Sequence, residues 1–222
     1  MTTKKIVHLS DTHFGHQFIS VPDGDVLVHS GDALWRGEHR ELIMFAQWFK
    51  ALPHPIKIFV PGNHDRIFED HQLLARQEMG DSVHVLINQE MNLFGKKVWG
   101  SPYTPMFNNW SFMRYRGPLI KDVWDMIPAD TDILITHGPP HGILDHVPYT
   151  NSNAGCEELM LKFKNKDIKP EIHMFGHIHE SYGQLHQDGV SYYNSALMAG
   201  ASGVFRPAQV IDLVIGDADE KD

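Results

Sequence analysis

The residues best suited to chemistry are aspartate, asparagine and histidine placed where short apolar runs stop. Asp11 and His13 follow Lys5-Ile6-Val7-His8-Leu9-Ser10, and Asp32 follows Asp25-Val26-Leu27-Val28-His29. Asn63 and His64 come after Ile56-Lys57-Ile58-Phe59-Val60 and a Pro61-Gly62 stop; His137 closes Ile133-Leu134-Ile135-Thr136; His177 and His179 close Ile172-His173-Met174-Phe175-Gly176. Each run reads as a buried strand ended by turn residues. In an extended segment, the first and third residues of Asp-x-His or His-x-His point to one side, so each pair can bite a single centre. Imidazole nitrogen, carboxylate oxygen and amide oxygen, without thiolate, suit manganese, iron, zinc or cobalt rather than copper(I) or an iron–sulfur cluster. These donors outnumber what one ion takes. Two ions about 3.5–4 Å apart, bridged by a carboxylate, would use them all, and that is an arrangement for displacement at phosphorus. Within the set, the amide oxygen of Asn63 suits a metal and the imidazole of His64 a proton donor.

Such a site needs the strand ends on one edge. Between Glu38 and Leu52, the residues Leu42, Phe45, Ala46, Phe49 and Leu52 recur at helical spacing, and Pro53 stops the run. A β-α-β order implies a parallel pair with a crossover, which makes Asp32 and Asn63 neighbours. Ligands of open α/β sheets collect beyond the carboxyl ends of such strands. A second helix is expected from Glu69 to Met79. Val83 to Ile87 and Lys97 to Gly100 read as short strands of an antiparallel region, and Ser101 to Pro118 as a structured surface loop. Tyr149 to Gly155 reads as a loop, Cys156 to Lys166 as a helix, Ser191 to Asn194 and Val210 to Ile215 as the last strands, and 216–222 as a frayed acidic tail.

The 222 residues suffice for one domain, 1–222, with one sizeable core. A formal net charge of −9 argues against long nucleic acid as partner. A small anionic substrate fits, because bound cations override an acidic average. The lone Cys156 rules out an internal disulfide framework. The apolar run after Lys4 and Lys5 meets His8 and Asp11 too soon for a signal peptide, and no stretch approaches the ~20 apolar residues of a membrane span. A cytoplasmic chain without membrane contact is expected.

Plainer readings cover other residues. His8, His29 and His173 lie in strands and read as packed, hydrogen-bonded side chains; His141, His146 and His186 read as solvated loop residues. Arg114 and Arg116 could hold a substrate phosphate or stack on a base, or could be solvated loop arginines. Trp110, Phe112 and Tyr115 could form a base platform, or could pin the loop to the body.

Taken in order, Asp11-x-His13, Gly31-Asp32, Gly62-Asn63-His64-Asp65, His137 within Thr-His-Gly-Pro-Pro, and Gly176-His177-Ile178-His179 resemble the blocks of the calcineurin-like metallophosphoesterase superfamily. Leu52-Pro53-His54, Gly100-Ser101-Pro102, Arg116-Gly117-Pro118 and Gly155-Cys156 extend the likeness to its metallophosphoesterase-domain-containing, class III phosphodiesterase-like branch. The resemblance implies an α/β fold, a four-layer α/β/β/α sandwich of two mixed sheets, with a dinuclear metal site at the carboxyl edge of the strands. It implies Asp11, His13, Asp32 and His179 around one divalent ion and Asp32, Asn63, His137 and His177 around a second, with Asp32 bridging and manganese the first choice of metal. His64 would be the general acid, and a hydroxide shared by the ions the nucleophile. The expected substrates are small phosphate diesters of nucleotides, with cyclic nucleotide esters favoured by the branch resemblance. A phosphomonoesterase or nucleotide pyrophosphatase is the alternative within enzymes, and a metal-stabilised binding or scaffold protein the alternative outside them. One departure stands out: many members carry Asp-Arg after Gly-Asp, where the Asp orients the catalytic histidine, and here Trp35-Arg36 follows instead.

Overall fold

Alternation within the apolar runs decides which layer each residue serves. In β1 (Thr2–Leu9), Ile6 faces a second sheet while Val7 and Leu9 face helices; the same split separates Val28 from Leu27 in β2 (Val26–His29) and Ile58 from Phe59 in β3 (Ile56–Phe59). The computed structural model describes residues 1–200 and 203–216, so the acidic tail beyond Gly216 lies outside the described residues.

β1, β2, β3 and β4 (His84–Val85) run parallel. The crossover from β2 to β3 is α1 (His39–Ala51), begun by a capping box between Glu38 and Glu41 and buried through Leu42, Phe45 and Phe49. A second helix, α2 (Gln72–Met79), joins it on the outer face of this sheet. The other sheet holds β5 (Gln89–Leu93), β6 (Lys96–Ser101), β7 (Ile133–Thr136), β8 (Ile172–Phe175), β9 (Gly183–Gln187) and β10 (Val190–Asn194), in the order β9-β10-β8-β7-β6-β5. β11 (Gln209–Ile215) returns antiparallel to β1 and completes the first sheet as β11-β1-β2-β3-β4. The sheets meet through Ile6, Val28, Ile58, Val98, Ile135 and Met174. On the far side, α3 (Pro118–Trp124) and α4 (Glu157–Lys164) cover the second sheet, with Ile120, Trp124 and Leu159 against Trp99 and Leu134. These contacts make an α/β/β/α sandwich of two mixed sheets.

Some elements differ from expectation. Only His84 and Val85 of the Val83 to Ile87 run pair, in parallel with β3; the antiparallel hairpin lies further on, β5 with β6. β5 is a largely polar edge strand without an apolar signature. The Glu69 to Met79 helix is broken at His71, leaving a short turn Ile67–Asp70 ahead of α2. α3 begins where the expected loop ends, with Pro118 in its first turn. β9, with His186 in it, pairs with β10, and His146 sits in a two-residue strand. Among the described residues, no helix is long and apolar enough to cross a membrane.

Candidate active site

β1, β2, β3, β7 and β8 deliver their terminal polar residues to one edge, where the backbone is under strain. Asp11, His13, Asp32 and His177 take φ of 53°, 42°, 54° and 70°. A residue with a Cβ held in such a region costs about 1–3 kcal/mol and persists only where its surroundings fix it. Here the Asp11 N–H donates to the Gly31 carbonyl and the His13 N–H to the Asp32 carbonyl, each at 2.9 Å. The buried carboxylate of Asp65 accepts from the amides of Gly62 (2.8 Å), Leu34 (2.9 Å) and Ala33 (3.3 Å), locking the turn after β2 to the turn after β3. Two glycines allow the close approach: a Cβ on Gly62 would overlap Asp32 Oδ1, and one on Gly176 would overlap Asp11 Oδ2 and Ser10 Oγ.

Backbone carbonyls set the orientation of several rings. His137 Nδ1 lies 2.9 Å from the Ser30 carbonyl oxygen, and His179 Nδ1 lies 2.8 Å from that of Met198. A carbonyl only accepts, so each Nδ1 carries hydrogen and each Nε2 is turned to the cluster. His137 Nε2 then faces Asn63 Oδ1 at 2.9 Å and Asp32 Oδ1 at 3.3 Å. His179 Nε2 faces His13 Nε2 at 3.1 Å and Asp11 Oδ1 at 3.2 Å. Asp11 Oδ2 accepts the His177 N–H at 2.8 Å, but among the described residues its buried Oδ1 has no hydrogen bond, and neither has His13 Nδ1. Lone pairs converge on lone pairs, which is repulsive unless a proton or a cation stands between them.

The titration behaviour has the same origin. Burial pushes Asp32 up, but the charge of His137, its contact with the carboxylate, and the charges of His64 and His13 outweigh it and hold the carboxyl well below its ordinary range. Burial likewise raises Asp11, and the adjacent His179 and the charge of His137 bring it below. Burial lowers His137, yet the charge of Asp32, the contact with that carboxylate, and Asp11 raise the imidazole to about 9. His13 and His177, where burial dominates, fall to about 4. The cluster keeps Asp11 and Asp32 ionised and draws positive charge inward.

The donor atoms of Asp11, His13 and His179 form one group within 4.8 Å of one another; Asp32, His137 and His177 form another; His13, Asp32 and His64 form a third that overlaps both. Asn63 Oδ1 lies beside His137, within hydrogen-bond distance of its Nε2. The strand-tip residues are thus brought together, and their oxygen and nitrogen donors fit divalent metal ions.

His64 Nδ1 is 2.7 Å from the Trp35 carbonyl oxygen, and its ring stacks on Trp110 at 4.1 Å between centroids. Sequence reasoning missed this carbonyl, because a backbone acceptor leaves no mark in a residue pattern. Arg114 is turned aside: its guanidinium lies over Tyr103 at 4.6 Å and bonds the Met113 carbonyl at 2.8 Å. Arg116 reaches the wall near His177, but it bonds the carbonyls of Gly155 (2.8 Å) and Ala154 (2.9 Å) and pairs with Glu157. The three-residue base platform does not form either, since Phe112 is buried in the core and Trp110 is stacked on His64. Two cavities open onto the cluster. One of about 500 Å³ is walled by Asn63, His64, Trp110 and Arg36; the other, of about 510 Å³, is walled by His177, His179, Phe107 and Tyr149.

An α/β/β/α sandwich whose strand ends gather aspartate, asparagine and histidine donors defines a metal-dependent phosphoester hydrolase. Residues 4–181 match the family described as Calcineurin-like phosphoesterase, and the chain belongs to that family. It is 34% identical over 232 aligned positions to Metallophosphoesterase domain-containing protein 1 of Homo sapiens, covering 94% of this chain and 71% of that one. It is 35% identical over 205 positions to UPF0046 protein K07C11.7 of Caenorhabditis elegans, covering 86% and 69%. The crystal structure of TT1561 of Thermus thermophilus shares the fold, with a TM-score of 0.58 at 12% identity over 88% of this chain and 92% of that one.

Proposed function

We propose that this chain hydrolyses small phosphate diesters, nucleotides and cyclic nucleotides among them. In this reading Asp11, His13, Asp32 and His179 hold one divalent ion, Asp32, Asn63, His137 and His177 hold a second, and His64 is the proton donor. The observation that carries it is the convergence of His137 Nε2, Asn63 Oδ1 and Asp32 Oδ1 on one side, and of His179 Nε2, His13 Nε2 and Asp11 Oδ1 on the other, with Asp32 between. Such an oxygen and nitrogen set suits manganese, iron, zinc or cobalt, and the family resemblance puts manganese first. When bound, the ions acidify water and neutralise charge on the phosphoryl oxygens.

The chain's own groups supply the rest. Asp32 Oδ1 accepts the His64 N–H at 2.7 Å, which ties the proton donor's backbone to the bridging carboxylate. With Nδ1–H given to Trp35, His64 exchanges a proton with the departing oxygen through Nε2. Two cavities at one cluster provide room for two substituents on phosphorus, which supports diester over monoester chemistry. A cytoplasmic setting is part of the same proposal and rests on the absence of any disulfide pair.

The test is hydrolysis of bis(p-nitrophenyl) phosphate against p-nitrophenyl phosphate with manganese, iron, zinc or cobalt added. The diester should turn over faster. A faster monoester would make this a phosphomonoesterase, and no turnover with any metal in verified folded protein would leave a metal-stabilised binding protein.

A further inference from the structure

Among the described residues the two cavities share no wall residue, and they differ in chemistry. The one beside His64 is polar. Its acids are met inside the protein, Asp70 by Arg66 at 2.7 Å and Glu69 by the Phe112 N–H at 2.9 Å, whereas the Arg36 side chain forms no ion pair among the described residues. The one beside His177 and His179 is largely apolar, and two big aromatics stand in its wall with little support, Phe107 at 63% and Tyr149 at 79% exposure. Asn153 in the same wall makes no side-chain hydrogen bond among the described residues, so its amide can both donate and accept. Arg116 fixes this wall by bonding the carbonyls of Ala154 and Gly155.

Resting on the diester reading, we infer that the substrate is a linear, two-armed nucleotide diester. The arm that keeps the phosphate lays its nucleobase against Phe107 and Tyr149, and the arm that departs lies beside His64, Trp110 and Arg36. A proton donor has to stand next to the oxygen that leaves, so His64 assigns its own cavity to the departing arm. Exposed aromatics and an unbonded amide in one cavity wall suit a flat heterocycle with a hydrogen-bonding edge. In the reaction one water is consumed. The bond from phosphorus to the departing oxygen breaks, that oxygen leaves as an alcohol with the proton from His64, the water oxygen stays on the retained arm, and a water proton restores His64. A 3′,5′-cyclic nucleotide carries both ester oxygens on one sugar and fills one cavity only.

The experiment has two parts, both on manganese-loaded protein. Adenylyl-(3′→5′)-adenosine should be hydrolysed at least tenfold more efficiently, by kcat/KM, than adenosine 3′,5′-cyclic monophosphate. By calorimetric titration, adenosine 5′-monophosphate should bind at least tenfold more tightly than ribose 5-phosphate, since both offer the ions the same phosphate. Phe107→Ala and Tyr149→Ala, at exposed positions, should bring the second ratio towards one. Equal binding of the two phosphates, or a cyclic ester that outruns the linear one, overturns the inference while any hydrolysis keeps the diester reading. If no diester is cleaved while the base preference and its loss in both variants persist, the diester reading and the division of arms fall and the base cavity is upheld.

Discussion

The carbonyl oxygen of Trp35 lies 2.7 Å from Nδ1 of His64. It fixes the His64 ring from the turn after β2, and does so through the backbone rather than through a side chain. Asp65, adjacent in sequence, cannot take that part, because its oxygens are bonded to the amides of Ala33, Leu34 and Gly62. Those bonds also fix the turn that carries Asp32 and Trp35, so one short segment positions both the Asp32 carboxylate and the carbonyl that holds His64. Trp110 stacked on one side and the His13 ring edge-on at 4.7 Å restrict the imidazole further.

His64→Ala should keep two ions per chain by elemental analysis while turnover falls by about 10²–10⁴-fold. The loss should be steeper for esters with alkoxide leaving groups than for p-nitrophenyl esters, whose departing oxygen needs no proton. Its donor atom lies within 4.8 Å of those of His13 and Asp32. Metal content that drops with the substitution would therefore make His64 a ligand instead.

Asp32→Asn changes charge with little change in shape, and asparagine tolerates the positive φ of 54° found there. The carboxylate lies 3.3 Å from His137 Nε2 on one side and 3.8 Å from His13 Nε2 on the other. Both ions should be lost together after gel filtration, with the fold retained by circular dichroism. Loss of a single ion would show that Asp32 does not bridge.

Gly176→Ala should disable the first donor group without unfolding the chain. The new Cβ meets Asp11 Oδ2 and Ser10 Oγ, both buried, so the carboxylate has to move and its bond to the His177 N–H at 2.8 Å opens. Overpacking of this kind costs about 1–3 kcal/mol. The melting temperature should drop modestly and the affinity for metal sharply. An alanine variant with unaltered metal binding would detach Asp11 from the ligand set.

Much of this site could be read from sequence because its chemistry sits in side chains at the ends of strongly apolar strands, which both burial and periodicity mark. β8 is the clearest case, its four residues all buried and His177 just beyond its end. What escaped reading lacks such marks. β5, Gln89 to Leu93, is a polar edge strand held by ladder bonds to β6, and α3 is too short to display a helical period. Arg114 and Arg116 drew attention by charge, yet their partners, the ring of Tyr103 and the carbonyls of Ala154 and Gly155, come from segments a sequence does not place beside them. Phe107 and Tyr149 come from separate loops and meet around a cavity only in three dimensions.

Acid stability should be limited by histidines outside the donor set, with His173 the cleanest example. Its Nε2 lies 2.8 Å from Thr136 Oγ1, and that hydroxyl already donates to the Gly138 carbonyl at 2.6 Å, so Nε2 carries the hydrogen and Nδ1 is bare. Nδ1 is buried and, among the described residues, has no partner; it lies next to Phe163 and Phe175. Burial accordingly lowers the imidazole from 6.5 to about 3. Above pH 6.5 both the folded and unfolded chains are neutral there and the residue has no pH effect. Below it the unfolded chain takes a proton that the folded one refuses, so stability is lost as pH falls from 6.5 towards 3, by about 1.4 kcal/mol per pH unit and about 2 kcal/mol by pH 5. In chelator, so that release of ions does not intrude, urea unfolding of the wild type should weaken between about pH 7.5 and 5 by about that amount more than His173→Leu, in which Thr136 keeps its bond to Gly138. Parallel loss in both proteins would mean that His173 takes up its proton within the fold and that burial does not govern it.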